Sequence, residues 1–388
     1  MRGIAYLAWR HASAHRGRTL LLVGCIALAL WVPWTAGALA RLYDADLRAR
    51  ASSTPLVIGA PGNRYDLTLA ALYFRPSELE TVTYAEMERL QREGRATFVP
   101  MHLRFTARGA PIVATSVEYA EFRGLVPREG TDPLRIGEVT LGAGVADALG
   151  LGAGDRLYSD PTELYDISRP PALKMRVAGV YARTGTADDD AVFCDVRTAW
   201  VLEGIAHGHQ STDQIEDDLV LSRTDESVSV SGALIEYAEV TPENEASFHY
   251  HGDSSILPLS AILALPESQK DGTILKSGVN ARRTHQAVTP SAVVDDLLGV
   301  VFRIKAFFDL VGAFLVATTA ALVALVFLLS SRLRAPEMRT LDRIGAPRRA
   351  ALGLVGLEVA GVLILATAAA GGATALTLAL LPDLVATF

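Results

Sequence analysis

The strongest constraint on this chain is a charge-free run at residues 19–40, TLLLVGCIALALWVPWTAGALA. A helix needs about 20 consecutive apolar residues to cross roughly 30 Å of bilayer hydrocarbon. Two further runs reach that length: AFFDLVGAFLVATTAALVALVFLLSS at 306–331 and AALGLVGLEVAGVLILATAAAGGATALTLALL at 350–381. The last is long enough for one tilted helix and too short for two spans with a turn. "ALA" at 38–40 imitates a signal-cleavage site, but a signal h-region runs to only about 7–15 residues. Trp31 and Trp34 also suit the interfacial belt of a retained helix, so an uncleaved anchor is expected.

The remaining sequence is different in kind. Of 388 residues, 50% are hydrophobic and 20% charged, with a mean hydropathy of +0.26. That balance fits neither an ordinary soluble enzyme nor a wholly embedded protein. Short cytoplasmic segments carry the Lys/Arg excess. Arg2, Arg10, Arg16 and Arg18 precede the first span, and Arg332, Arg334, Arg339, Arg343, Arg348 and Arg349 separate the second from the third. Both segments are therefore placed inside, and residues 41–300 outside with the C-terminal tail. The outer segment, about 260 residues, is long enough to bury its own core. Cys25 and Cys194 are not expected to meet in a disulfide. A net charge of −7 argues against a nucleic-acid partner.

Local patterns in the outer segment predict mixed α and β structure. Thr83, Glu86 and Gly94 give the start and stop of a helix over TYAEMERLQREG. ATFVPMHLRFTARGAPIVATS (96–116) reads as two strands around ARGAP. A strand, a short helix from near Gly144 and another strand follow over 138–159, then a strand at 173–183 and, over 189–204, a strand running into a short helix. Residues 255–266 read as one buried strand, and 291–312 as a helix entering the second span. The polar, acidic stretch 205–247 reads as an exposed insertion.

Three stretches carry a resemblance. LAWRHASAHRGRTLLLVGCIALAL resembles an amphipathic helix leading into a first span. GEVTLGAGVADALGLGAGDRL, followed by MRVAGVYARTGTADDDAVFCDVRTAW, is similar to a periplasmic core domain with its V-x-G-V strand. RLRAPEMRTLDRIGAPRRAALGLVGLE resembles a cytoplasmic coupling segment with an E-M-x-x-L-x-x-I-G-A core. Together they resemble the MacB/LolE/FtsX-like superfamily of ABC transporter permeases over nearly the whole chain. Members of that superfamily usually have a fourth span, so the resemblance is to a short variant.

The fold class implied is a membrane protein with an α-helical transmembrane part of three spans plus an α+β periplasmic domain. The corresponding division is an N-terminal amphipathic helix at 1–18, spans at 19–40, 301–331 and 350–381, a periplasmic domain at 41–300, a coupling segment at 332–349 and a tail at 382–388. The resemblance implies a bacterial inner-membrane permease of the mechanotransmission type, working with a cytoplasmic ABC ATPase dimer. A homodimer or a second permease, and a periplasmic protein or lipoprotein, are the other implied partners. The alternative is an FtsX-like relay that activates a periplasmic partner without moving a substrate.

The residues themselves bear on this. No G-x-x-x-x-G-K-[ST] phosphate loop is present, and GTILKSG (272–278) has the wrong spacing. ATP is therefore expected only in the partner, and no enzymatic activity in this chain. The resemblance implies Glu337, Met338, Leu341, Ile344 and Gly345 as the candidate ATPase-coupling residues, the anchors of a helix seated in a groove. The bland reading is that the neighbouring arginines only set topology. Apart from Asp309 and Glu358 the apolar runs at 19–40, 306–331 and 350–381 hold no charged residue, so an ion or proton path is not indicated.

Two H-x-H pairs complete the candidates: His207 with His209, and His249 with His251. Residues i and i+2 of a strand share a face, and neutral imidazole is the commonest metal ligand. Zinc, with three or four such ligands, is the metal this set favours, with Asp253, Glu203, Asp213 and Cys194 as further donors. The resemblance also points to a subgroup associated with metal uptake. Against this, each pair is equally at home on an exposed loop, and no general base accompanies it, which argues against a metallohydrolase. Thr184, Gly185 and Thr186 with Asp188 to Asp190 read as a surface turn.

Overall fold

The computed structural model describes residues 2–75, 80–161, 172–208, 220–223, 228–230, 238–333, 336, 343 and 348–385. It divides into two compact units, one of Met1–Leu47 with Leu297–Phe388 and one of Arg48–Asp296. The partition falls inside two long helices.

The first unit contains α1 (Arg2–Ala14) and most of α2 (Arg16–Ser52), α9 (Pro290–Leu333) and α10 (Arg348–Val385). Three of these, α2, α9 and α10, are long and apolar enough to cross a membrane, with mean hydropathies of 1.9, 2.5 and 2.0 over their most apolar windows. Their apolar side chains point largely outward; Phe314 is 71% and Leu310 69% exposed. Such surface is tolerable in hydrocarbon, where there is no penalty for leaving it uncovered. The third stretch forms a single helix.

Contacts between the described helices fix their directions. Leu22 and Ile26 of α2 pack on Val362 and Ala366 of α10, and Trp31 Nε1 donates to Thr377 Oγ1 at 3.3 Å. These two helices therefore run parallel. Arg18 bonds Ser330, while Pro33 lies beside Gly312, so α2 and α9 run antiparallel. His11 Nδ1 lies 3.0 Å from Glu358, and Arg18 3.8 Å from it. The N-terminal helix and the start of α10 thus share one end of the unit, the end that the arginine distribution assigns to the cytoplasm.

The second unit is a mixed α/β domain. Its helices are α3 (Arg64–Tyr73), α4 (Tyr84–Gln91), α5 (Val117–Arg123), α6 (Ala143–Leu149), α7 (Val196–Leu202) and α8 (Gln269–Arg282). Its strands begin with β1 (Leu56–Gly59), β2 (Val82–Thr83), β3 (Ala96–Ala107), β4 (Ala110–Thr115), β5 (Pro127–Gly130), β6 (Glu138–Leu141), β7 (Arg156–Tyr158) and β8 (Lys174–Tyr181). They continue with β9 (Val192–Asp195), β10 (Ala206–His207), β11 (Val220–Arg223), β12 (Val228–Val230), β13 (His249–Tyr250), β14 (Pro258–Leu259), β15 (Ala261–Pro266) and β16 (Gln286–Val288).

Among the described residues, ten strands form one sheet in the order β16-β1-β15-β3-β4-β9-β6-β8-β5, with β7 also paired to β8. Only β4–β9 and β6–β8 are parallel. Both faces are covered. Leu56 and Ile58 enter one apolar cluster with Val139, Val177 and Trp200. Val57 between them enters another with Val99, Tyr119 and Phe193. Strands buried on both faces read as continuous apolar runs, which is why β1 and the middle of β3 show no polar alternation.

Local grammar places the elements around the site. Thr83 Oγ1 accepts from Glu86 N at 3.3 Å and starts α4. Arg108 and Gly109, both at positive φ, turn β3 into β4. The expected single strand at 255–266 is split: β14 pairs with β2, Ser260 interrupts, and β15 joins the main sheet. Ser260 serves as a joint, its hydroxyl accepting from Leu103 N at 3.0 Å. β5 and β8 approach with no side chain between them. A Cβ on Gly130 would lie 2.0 Å from the Ala178 carbonyl oxygen, and one on Gly179 2.4 Å from that of Thr131. Both cysteines are free, Cys194 in the sheet core.

Candidate metal centre

The segment after α7 carries the first histidine to its site. Asp195 caps α7, accepting from Arg197 N at 2.9 Å, and Ile205 N closes the helix end on the Trp200 carbonyl at 3.0 Å. The chain then enters β10. Its partner is β13, antiparallel, in a two-residue ladder that sets His207 opposite His249. Directly opposed residues of such a pair share a face with Cβ atoms about 5 Å apart.

His251 lies beyond β13, in a bend rather than in the strand. Gly252, at φ +114°, carries that bend, and the third ring is brought back onto the other two. Ring centroids are 4.9 Å apart for His207–His249 and for His249–His251, and 5.3 Å for His207–His251. One donor atom from each ring lies within 4.8 Å of the others. His249 Nδ1 is 2.8 Å from the Ser247 carbonyl oxygen. A carbonyl only accepts, so Nδ1 carries the proton and the Nε2 lone pair is the one for a ligand, the arrangement that orients metal-binding imidazoles. His207 and His249 are half-buried and His251 is exposed.

The two sequence pairs are thus only partly used as pairs. His249 and His251 act together; His207 joins them across the ladder, while His209 lies outside the described residues. The further donors are otherwise engaged. Glu203 binds Arg104 at 2.8 Å and His102 at 3.3 Å. Asp253 caps a single helical turn through Ser255 N at 2.9 Å. Cys194 is buried, and that burial, with Asp195 nearby, pushes its thiol well above the ordinary range. Asp213 is outside the described residues, as are all five coupling candidates, Glu337, Met338, Leu341, Ile344 and Gly345.

A groove of about 660 Å³ adjoins the cluster. Tyr84, Phe98, Trp200, Phe248 and His249 line it, with Glu88 among the polar groups. Tyr84 and Trp200 meet edge to face at 5.3 Å, and Trp200 Nε1 donates to the Pro258 carbonyl at 3.1 Å. Burial raises the Tyr84 hydroxyl, and the carboxylates of Glu88, Asp195 and Glu118 add to the effect. The groove therefore has an aromatic floor, with Glu88, Glu118, Asp195 and Arg197 among its charged lining. Nothing in the sequence marked it, because its walls come from α4, α7, β3 and β13.

The expected surface turn at 184–190 is corrected. Asp188 and Asp189 are 3% and 5% exposed. Arg50 grips Asp188 with both terminal nitrogens, at 2.6 and 2.9 Å, and bonds the Leu72 carbonyl. Tyr119 donates to Asp188 at 2.7 Å and accepts from Arg50 at 3.2 Å; Thr186 donates to Asp188 at 2.8 Å. Asp189 accepts from the backbone of Thr184 and Gly185 at 2.8 and 2.7 Å. Turn-forming residues are here wrapped around a buried ion pair.

No protein-family model matches the chain, and no curated protein does. Among solved structures, it is similar to the periplasmic region of MacB from Actinobacillus actinomycetemcomitans, with 9% identity and a TM-score of 0.37 over 63% of this chain and 92% of that one. It is also similar to the extracellular domain of the noncanonic ABC-type transporter YknZ from Gram-positive bacteria, with 10% identity and a TM-score of 0.35 over 61% of this chain and 99% of that one.

Proposed function

We propose that this chain is the permease subunit of a bacterial inner-membrane ABC transporter of the mechanotransmission type. The observation that carries the reading is its order of parts. A large α/β unit is inserted between the first and second apolar helices, and the second and third, which flank the basic sequence, meet α1 and the start of α2 through Ser330 and Glu358. A separate ATPase dimer hydrolyses ATP and pushes on that basic end through Glu337, Met338, Leu341, Ile344 and Gly345. The permease works as a homodimer or beside a second permease, and carries no catalysis of its own. With only Asp309 and Glu358 charged in the apolar runs, work is done on the outer side rather than through a polar channel. The three-histidine cluster ties this work to zinc.

Co-expression with a candidate ABC ATPase subunit from the same genome tests the assignment. Co-purification that survives in the parent and is lost in Leu341→Asp supports it; no association in the parent overturns it. The scarcity of charge in the spans equally suits a relay that activates a periplasmic partner. ATP-dependent movement of a defined cargo in reconstituted vesicles separates the two, since a relay gives none.

A further inference from the structure

The histidine cluster and the groove share a wall. His249 belongs to both, and Phe248 before it lines the groove and packs on the apolar cluster that contains Trp200. On the other strand, Gly208 follows His207, and a Cβ there would lie 2.6 Å from the Phe248 ring. The seat of Phe248 is therefore set by how closely β10 and β13 approach. That ladder has only two residue pairs, and short isolated pairings are marginal in water.

We propose, resting on the zinc link put forward for this chain, that His207, His249 and His251 bind one Zn²⁺ per chain and that the ion clasps β13 to β10, so that metal loading sets the wall of the groove. The donor chemistry fits. Three neutral imidazole nitrogens suit zinc at about 2.0–2.1 Å, with a fourth position left to water or an incoming donor. Tetrahedral ligands at that length sit roughly 3.3 Å apart. Bringing the donor atoms from the present spread, within 4.8 Å, to that separation draws β13 toward β10 and presses Phe248 onto Gly208. The Ser247 carbonyl already holds His249 in the tautomer that presents Nε2. Hard cations such as Mg²⁺ and Ca²⁺ prefer oxygen donors and have no place here.

Trp200 is the natural reporter, since the other three tryptophans, Trp9, Trp31 and Trp34, precede the outer unit. The full-length protein is purified in detergent, stripped with chelator and dialysed against Zn²⁺. One equivalent per chain is expected by elemental analysis, lost in His249→Ala/His251→Ala, with Mg²⁺ giving none. In protein labelled with 5-fluorotryptophan, the ¹⁹F resonance absent from Trp200→Phe should shift on zinc addition in the parent and stay put in the double variant. Should the double variant fail to fold, His251→Ala at the exposed ligand replaces it. A bound equivalent with an unmoved Trp200 signal overturns the clasp while leaving the zinc site. No bound zinc, or zinc retained after the histidines are removed, overturns the site itself. Neither result touches ATPase association, which reports on the permease assignment independently.

Discussion

Two polar clusters in the outer unit use similar numbers of side chains to opposite ends. Around Arg50, each charge meets a partner from the protein: Asp188 receives bonds from Arg50, Tyr119 and Thr186, and Arg50 also reaches the Leu72 carbonyl. Around His207, His249 and His251, three rings each bring one donor atom within 4.8 Å of the others. The first cluster is closed and buried, the second open and half-exposed. A closed cluster of matched charges holds a fold together; the other brings three like donors to one place.

The comparison breaks most easily at Asp188. Asp188→Ala leaves Arg50 buried without its carboxylate, and should cost about 3–5 kcal/mol in denaturant unfolding of the full-length protein. A loss below about 1 kcal/mol would make the cluster incidental. Zinc comes next. At a hundredfold excess over its dissociation constant it should add about 2.7 kcal/mol to the parent and nothing to the histidine double variant. Tyr119→Phe removes one hydroxyl that both donates and accepts, and should cost about 1–2 kcal/mol.

Acid sharpens the same contrast. Burial pushes the Asp188 carboxyl up, but the bonds from Arg50, Tyr119 and Thr186 outweigh it and hold the group below its ordinary value. A carboxylate depressed in the folded state stabilises fully above its unfolded pKa and loses that contribution as pH falls through the folded one. Stability should therefore fall in the parent below about pH 4, the unfolded aspartate value, and the fall should flatten in Asp188→Asn. The smallest effect belongs to the open cluster. Without metal, His249→Ala/His251→Ala should change stability by less than about 0.5 kcal/mol.

What could be read from the sequence follows from how local each signal is. Span length is a property of one continuous run, and α2, α9 and α10 fall where the long apolar stretches lie. The Thr83 cap and the Arg108–Gly109 turn are equally local. The histidines were visible as H-x-H spacings, but the meeting of His207 with His249 depends on a ladder between segments 42 residues apart, as the register of β10 and β13 shows. Nothing singled out Arg50, and Asp188 looked like one more turn former. Neither spacing nor composition hints that they pair across 138 residues of sequence. The only trace was three consecutive aspartates, Asp188 to Asp190, with no lysine or arginine beside them to explain so much charge.

The contact between β5 and β8 has a consequence for descent. Gly130 and Gly179 each face the other strand's backbone at a distance no Cβ could occupy. Neither glycine can drift to another residue alone, because the strand opposite would have to move with it. The glycine of the V-x-G-V stretch is thus half of a pair, and its other half lies 49 positions upstream. As lineages diverge until overall identity fades, these two positions should change together or not at all. Reading both at once gives a mark of ancestry that outlasts similarity along the rest of the chain.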